Sequence, residues 1–458
     1  MIGIIISIYL LGMLLMSFVK LRVGIAMYLF YQMLVPFVNI NIGPLHFGAN
    51  LTNTIVFISL FFSFRDKIKY FEYKSLMPFV FLYFAQLFLI PFQSQITISD
   101  QINFFRLDIM SNLMLPFAMI NVMNFDKNAY LLFRNILITA IFIAVIYGIY
   151  LTQMPGINPW LMLILPFNDA IFNDSYALAE SSGRLFGRIS SVFSDSQAFG
   201  LVLTLSFIFI YSLIDNKVRN LRVSMRFLNL YYILLLNLII ISIFVCGIRT
   251  PIIALIISAL FYLLKHRKIT LFFYASISML IIFIIIQQIP DLTLYIESIF
   301  DTNSANVKGS SLDMRLDQLN GSLDIIKGNE FTGLGYGWTA SYISTKGDHP
   351  VLLAFESLLY VVLCNSGFIG ILIWILMIIM YFKYVIGNFN KEGINILLTL
   401  LIAYLSFALL TGDYGYMKYF LIFYVLIFEG QKKEKFNLRK SNFSKKRKMK
   451  FRELHIDL

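Results

Sequence analysis

The chain has 458 residues, 59% apolar and 14% charged, and its mean hydropathy is +0.77. Soluble domains carry about 25% charged residues, so this composition excludes an ordinary soluble enzyme, a disordered chain and a fibrous repeat. Of the net charge of +12, residues 431–458 supply +8 through 11 basic and 3 acidic side chains. That excess is a tail beside a final apolar run, the pattern of a cytoplasmic flank touching anionic lipid, and no nucleic-acid partner is expected.

A helix needs about 20 apolar residues to cross the hydrocarbon layer. In chain order the sequence predicts spans near 2–19, 23–42, 50–64, 75–92, 105–124, 134–153, 197–214, 228–247, 250–264, 269–289, 352–382, 394–411 and 414–428. The expectation is an all-α, polytopic integral membrane protein with 12 to 13 transmembrane helices. Residues 1–20 lack the basic start and small-residue cleavage site of a signal peptide and are read as a span. The chain divides into N-terminal helices (1–153), a first long loop (154–196), central helices (197–289), a large loop (290–350), C-terminal helices (351–430) and the basic tail (431–458).

Alternate loops, beginning with Lys20 and Arg22 and ending with the tail, hold 28 of the 37 Lys and Arg residues. That side is cytoplasmic by the positive-inside rule, so the C-terminus is inside. Both long loops then lie on the outer side, where loops of such length are usually functional. In the first, Trp160–Phe167 is too short to cross and lies in the interface or re-enters. The second holds an amphipathic helix with Leu312, Leu316, Leu319, Leu323 and Ile326 on one face. It ends in the glycine-rich stretch Gly333-Leu334-Gly335-Tyr336-Gly337.

Cys246 and Cys364 lie in apolar runs and the four histidines are scattered, so no metal or other cofactor is expected. Arginines on the outer side run against the charge bias. Arg184 and Arg188 stand in the first long loop, Arg249 between two spans, and Arg315 is the only arginine of the large loop. A guanidinium is planar, bidentate and permanently charged, so it suits phosphate or diphosphate oxygens. Such a cluster would also stabilise charge developing on a diphosphate leaving group. The plainer alternative pairs each arginine with a nearby acid, Arg106 with Asp108 or Arg315 with Asp313. Trp160, Tyr176, Tyr336, Trp338 and Tyr342 would stack on sugars or form an interfacial belt.

Five motifs occur in order. Gly187-Arg188 precedes Phe193-x-x-x-Gln197-x-x-Gly200, with Asp195 between. Cys246-Gly247-Ile248-Arg249-Thr250-Pro251 forms an arginine turn between spans. Arg315-x-x-x-Leu319, Gly333-x-Gly335-x-Gly337 and Gly367-x-x-Gly370 follow. The ordered set resembles the O-antigen polymerase/ligase superfamily. The resemblance implies a GT-C-like membrane fold with two long outer loops. It implies a metal-independent, inverting glycosyl transfer at the outer face of the bacterial inner membrane. The donor would be a glycan on undecaprenyl diphosphate, and the product O-antigen, capsule or exopolysaccharide.

Ligases of that superfamily place a histidine where this chain has Glu356, eleven residues before Gly367. Polymerisation is therefore the first expectation, ligation the second, and transport of the same lipid-linked sugars the third. Glu356 or His349 would engage the attacking hydroxyl together with Arg315. For Glu356 the alternative is a structural carboxylate at a helix N-terminus. Arg184, Arg188, Arg249, Arg315, Asp195, Gln197 and Tyr336 would bind diphosphate or glycan. Membrane lipid and a chain-length regulator protein are the further partners the family implies.

Overall fold

A segment facing lipid must satisfy its backbone internally, and within one short run only a helix does so. A computed structural model describes residues 2–35, 40–42, 45–47, 49–154, 157–164, 188–220, 226–265, 312–412 and 416–433. Its helices are α1 (Ile2–Val19), α2 (Leu21–Leu34), α3 (Ala49–Ser63), α4 (Met77–Leu87), α5 (Ile98–Asn112), α6 (Met114–Phe125), α7 (Ala129–Tyr150) and α8 (Pro159–Ile164). They continue as α9 (Ser196–Asn220), α10 (Arg226–Val245), α11 (Thr250–Lys265), α12 (Leu312–Ile325), α13 (Trp338–Lys346), α14 (Leu358–Asn388), α15 (Lys391–Thr411) and α16 (417–433). The expected span 269–289 lies outside the described residues.

Four stretches, Ala129–Gln153, Ser196–Ile214, Leu358–Asn388 and Lys391–Thr411, are long and apolar enough to cross a membrane, and six shorter apolar helices accompany them. Ile4, Leu15, Phe62, Phe88, Leu234 and Leu372 all point outward, each more than half exposed. Holding one such side chain in water rather than in an apolar medium costs about 1.5–3 kcal/mol. Hydrocarbon is the solvent this surface suits.

Three expectations about helix ends change. The span near 23–42 stops at Leu34, and Val35 leaves the helical region (φ −132°, ψ 60°) because Pro36 follows it. Beyond it, Ile40–Ile42 and Leu45–Phe47 pair antiparallel, with Ile40 opposite Phe47, so the all-α expectation has one small exception. The span near 105–124 is broken between Asn112 and Met114. Pro116 has no N–H for the carbonyl of Asn112, and its ring crowds that carbonyl. The span near 352–382 becomes helical only at Leu358, after the cap residue Ser357, whose Oγ accepts from Leu359 N at 3.2 Å.

The basic turns gather at one end. Arg22 pairs with Asp126 at 3.0 Å, Lys433 stands 4.6 Å over the Tyr130 ring, and Lys432 donates to Asn124 Oδ1 at 3.5 Å. At the other end Trp160 Nε1 donates to Leu34 O (3.0 Å) and Ile189 N to Cys246 O (3.2 Å). In the middle, α15 packs along α11, α9 and α14. It is buried on most sides, with Leu397, Leu400, Leu401, Ala403 and Phe407 fully covered.

Candidate functional site

At the end opposite the basic turns, two motif turns are stitched together. The Ile189–Cys246 backbone bond joins the turn carrying Arg188 to the turn carrying Arg249. Behind them α9 and α11 cross closely: a Cβ on Gly200 would sit 2.3 Å from the Pro251 ring, so only glycine fits. Asn158 pins the first turn by donating to Ser190 Oγ (3.1 Å) and Ser191 O (2.7 Å). Arg188 is exposed and Arg249 half-buried. Arg184 lies outside the described residues.

Asp195 caps α9, accepting from Ala198 N at 2.6 Å and from Ser194 Oγ at 2.7 Å. Its Oδ1 also accepts from Tyr416 OH at 3.1 Å, and Gln197 Oε1 lies 3.2 Å from the same hydroxyl. Lys418 attracts Asp195 electrostatically and stands 5.0 Å over the Tyr419 ring.

Arg315 and Glu356 meet although 41 residues separate them. Arg315 Nη2 lies 3.5 Å from Glu356 Oε2 and donates to Leu410 O at 2.8 Å. Its Nη1 donates to Glu356 O and reaches Gln318 Oε1 at 3.3 Å. Arg315 thus has a longer-range partner in Glu356, and Arg106 donates to Asn103 Oδ1 (2.7 Å). Ser357 Oγ donates to Leu409 O at 2.7 Å, and Tyr360 OH to Arg315 O at 2.8 Å. Glu356 therefore precedes the helix and its cap, on an irregular segment. Leu353 (φ 51°) and Phe355 (φ 55°), both just before it, lie in the left-handed region, which bulky residues avoid. The third non-glycine residue with positive φ among those described is Ser191, in the Arg188 turn. Backbone strain of this kind is stored at functional sites.

The buried face of α12 differs from the expected leucine stripe. Gln318, Ser322 and Ile326 are fully buried, whereas Leu316 is 59% exposed and Leu323 36%. The polar face holds Arg315 against α14, and two of the leucines face outward.

The glycine-rich stretch fills a break in α14. Gly367 is non-helical (φ 59°, ψ −156°), so Phe368 N and Ile369 N lose their acceptors one turn back. They donate instead to Glu330 O (2.8 Å) and Phe331 O (3.1 Å). The freed carbonyls of Cys364 and Asn365 accept from Leu334 N (2.8 Å) and Gly335 N (3.3 Å). All four backbone groups stay satisfied, as apolar surroundings require. Gln93 locks the junction, donating to Thr332 O and to Asn365 O, while Tyr336 N donates to Gln93 Oε1 (3.2 Å) and Gln101 Oε1 (2.9 Å). Tyr336 OH donates to Asp108 Oδ2 at 2.6 Å.

His349 stands apart from the Arg315–Glu356 pair in its bonding. Its Nδ1 accepts from Val351 N and Leu352 N, both at 3.1 Å, and its ring packs on Tyr342 and Phe355. Burial holds its pKa below the usual histidine value. Among the described residues no three His, Cys, Asp or Glu side chains gather to hold a metal, and Cys246 and Cys364 are buried thiols.

Leu409, Leu410 and Tyr416 connect the parts: Leu409 and Leu410 accept from Ser357 and Arg315, and Tyr416 reaches Asp195 and Gln197. The sequence pattern missed Tyr416, Gln93, Gln101 and Asp108. The signal available was the polar content of α5, where Asp100, Gln101, Asn103, Arg106, Asp108 and Asn112 interrupt an apolar region. No protein-family model matches the chain, and no curated protein matches it.

Proposed function

We propose that this protein is a glycosyltransferase of the bacterial inner membrane, a polytopic GT-C-like polymerase of a surface polysaccharide. In this reading an undecaprenyl-diphosphate-linked glycan is transferred onto a second lipid-linked repeat unit at the outer face, and the C-terminus is cytoplasmic. The observation that carries it is the Arg315–Glu356 pair, a carboxylate held by a guanidinium at the end opposite the basic turns. A hydroxyl of the acceptor sugar attacks the anomeric carbon, and its proton passes to the Glu356 carboxylate. The bond between that carbon and the diphosphate oxygen breaks with inversion. The electron pair leaves with the lipid diphosphate.

Arg315 spends its Nη1 and Nη2 donors on Glu356, Gln318 and Leu410. It therefore positions the base. Arg188, exposed, and Arg249, in the turn bonded to it, are the residues assigned to the diphosphate. Their fixed charge offsets the charge that develops on the leaving group.

The test is a gel of surface polysaccharide from a deletion strain beside its parent. Loss of the ladder with single repeat units still attached supports polymerisation. Loss of all attached units, with full-length polymer on the carrier lipid, identifies a ligase. An unchanged ladder refutes both.

A further inference from the structure

One cavity is not used by that mechanism. It measures about 270 Å³ and lies between α4, α5 and the outer half of α14, with Tyr336 and residues 354–355 closing it. Small-molecule pockets start near ~300 Å³, so its size suits a single ring. Its walls are apolar on several sides, with Leu82, Phe104, Phe355 and Trp374.

Its polar groups are few and fixed. Asn112, only 3% exposed, donates from Nδ2 to Tyr83 OH at 2.9 Å. The Tyr83 hydroxyl proton is in turn directed at Met417 Sδ, 3.2 Å away. With the amide so placed, Asn112 Oδ1 is buried with no hydrogen-bond partner. Asn365 accepts at Oδ1 from Thr339 N (2.9 Å), so the group it has to offer is the Nδ2 donor. A buried acceptor without a donor is costly to the fold, and it makes sense where a ligand brings the donor.

Charge narrows the ligand class. Among the lining residues there is no lysine, arginine or histidine, and the only charge is the Asp108 carboxylate, which accepts from Tyr336. An anion is disfavoured there, and a hydrocarbon chain would offer the lining side chains Asn112, Asn365 and Asp108 no polar contact. A neutral ring with hydroxyl donors on its edge and C–H groups on its faces satisfies both wall types. Phe355, which lines the cavity, is the residue before Glu356.

We infer that this cavity is a subsite for one neutral sugar ring of the acceptor glycan, whose hydroxyl or acetamido N–H donates to Asn112 Oδ1. The inference rests on the glycosyl-transfer reading for the word acceptor, but binding can be measured without turnover. The chain has three tryptophans, Trp160, Trp338 and Trp374. Trp160→Phe with Trp338→Phe leaves Trp374 as the sole reporter, inside the cavity. The full-length protein in lipid nanodiscs is titrated with the methyl glycosides of glucose, galactose, N-acetylglucosamine and N-acetylgalactosamine, and separately with sodium diphosphate.

A saturable change in Trp374 emission is expected with at least one glycoside and none with diphosphate. Asn112→Leu should weaken that binding roughly tenfold, the worth of one hydrogen bond. Asn112→Ser, which keeps a small polar group, covers the case in which the leucine variant does not fold and should weaken it several-fold. No response to any glycoside, a saturable response to diphosphate, or unchanged binding in both variants overturns the inference. If glycosides bind but the protein makes no polymer, the transfer reading falls and the subsite stands. If polymer grows while Trp374 is silent, the subsite alone falls.

Discussion

Arg315→Lys keeps the charge and removes the fork. The guanidinium reaches two main-chain carbonyls at once, Glu356 O from Nη1 and Leu410 O from Nη2, and keeps Glu356 Oε2 within 3.5 Å. Lysine has one nitrogen and cannot reproduce both in-plane contacts. A hydrogen bond from a charged donor contributes about 1.5–3 kcal/mol, so losing one should cost folding about 2 kcal/mol. The ion pair itself is roughly a quarter exposed on each side, so solvent screening discounts it further. The catalytic effect should be larger than this structural one. Releasing the base from its fixed geometry should slow chain growth about 100-fold, which corresponds to ~2.7 kcal/mol of barrier. The assay pairs the polymerisation rate of purified protein with its thermal melting. Chain growth within twofold of the parent, alongside a lowered melting temperature, would show that the arginine only holds the structure together.

Arg188→Lys and Arg249→Lys should each cut turnover by about 100-fold with little change in melting, since lysine keeps charge but loses bidentate geometry; unchanged rates in both would remove the diphosphate contact. Gly367→Ala should prevent stable folding, because its Cβ would lie 2.4 Å from Glu330 O in a left-handed conformation. Gly387→Ala, with nothing within 4 Å, serves as the helix control and should stabilise by about 0.5–1 kcal/mol; detergent melting curves check both. His349 has its pKa depressed by burial, so the unfolded state binds the proton more readily. Its contribution to stability is complete above the unfolded value of about 6.5 and falls as pH drops through the folded value. Protonating Nδ1 also removes the acceptor for Val351 N and Leu352 N. Protection of the amides in residues 349–355, after correction for the intrinsic pH dependence of exchange, should fall from pH 7.5 to pH 5, and His349→Asn should flatten that dependence.

Composition and periodicity made most helices legible. Lys20 and Arg22 marked the α1–α2 turn, and the run of Lys and Arg from 65 to 74 marked the next turn on that side. Local rules that compete with apolar length were harder to read. Pro36 and Pro116 ended helices inside runs that looked continuous. The leucines of α12 suggested a buried face, yet Gln318 and Ser322 are buried, and Gln318 accepts from Arg315 beside its contact with Glu356. A hydrophobic stripe marks the inner face when water is the alternative, and next to lipid it can mark the outer one. The glycines at 333, 335, 337 and 367 were visible as motifs. Their mutual function was not, because it depends on a loop meeting a helix break about thirty residues away. Asp195, Gln197, Arg315 and Glu356 were named from sequence, whereas Tyr416, which touches two of them, carries no local pattern.

Glu356, held by Arg315, is proposed to activate a sugar hydroxyl for attack on a diphosphate-linked glycan. Purified full-length protein in nanodiscs, given only an undecaprenyl-diphosphate-linked repeat unit, tests it most directly. The expected result is a ladder of products on a gel, one lipid diphosphate released per linkage, and no ladder from correctly folded Glu356→Gln protein. A ladder of normal length from Glu356→Gln, or none from the parent protein on its own lipid-linked repeat, would contradict it.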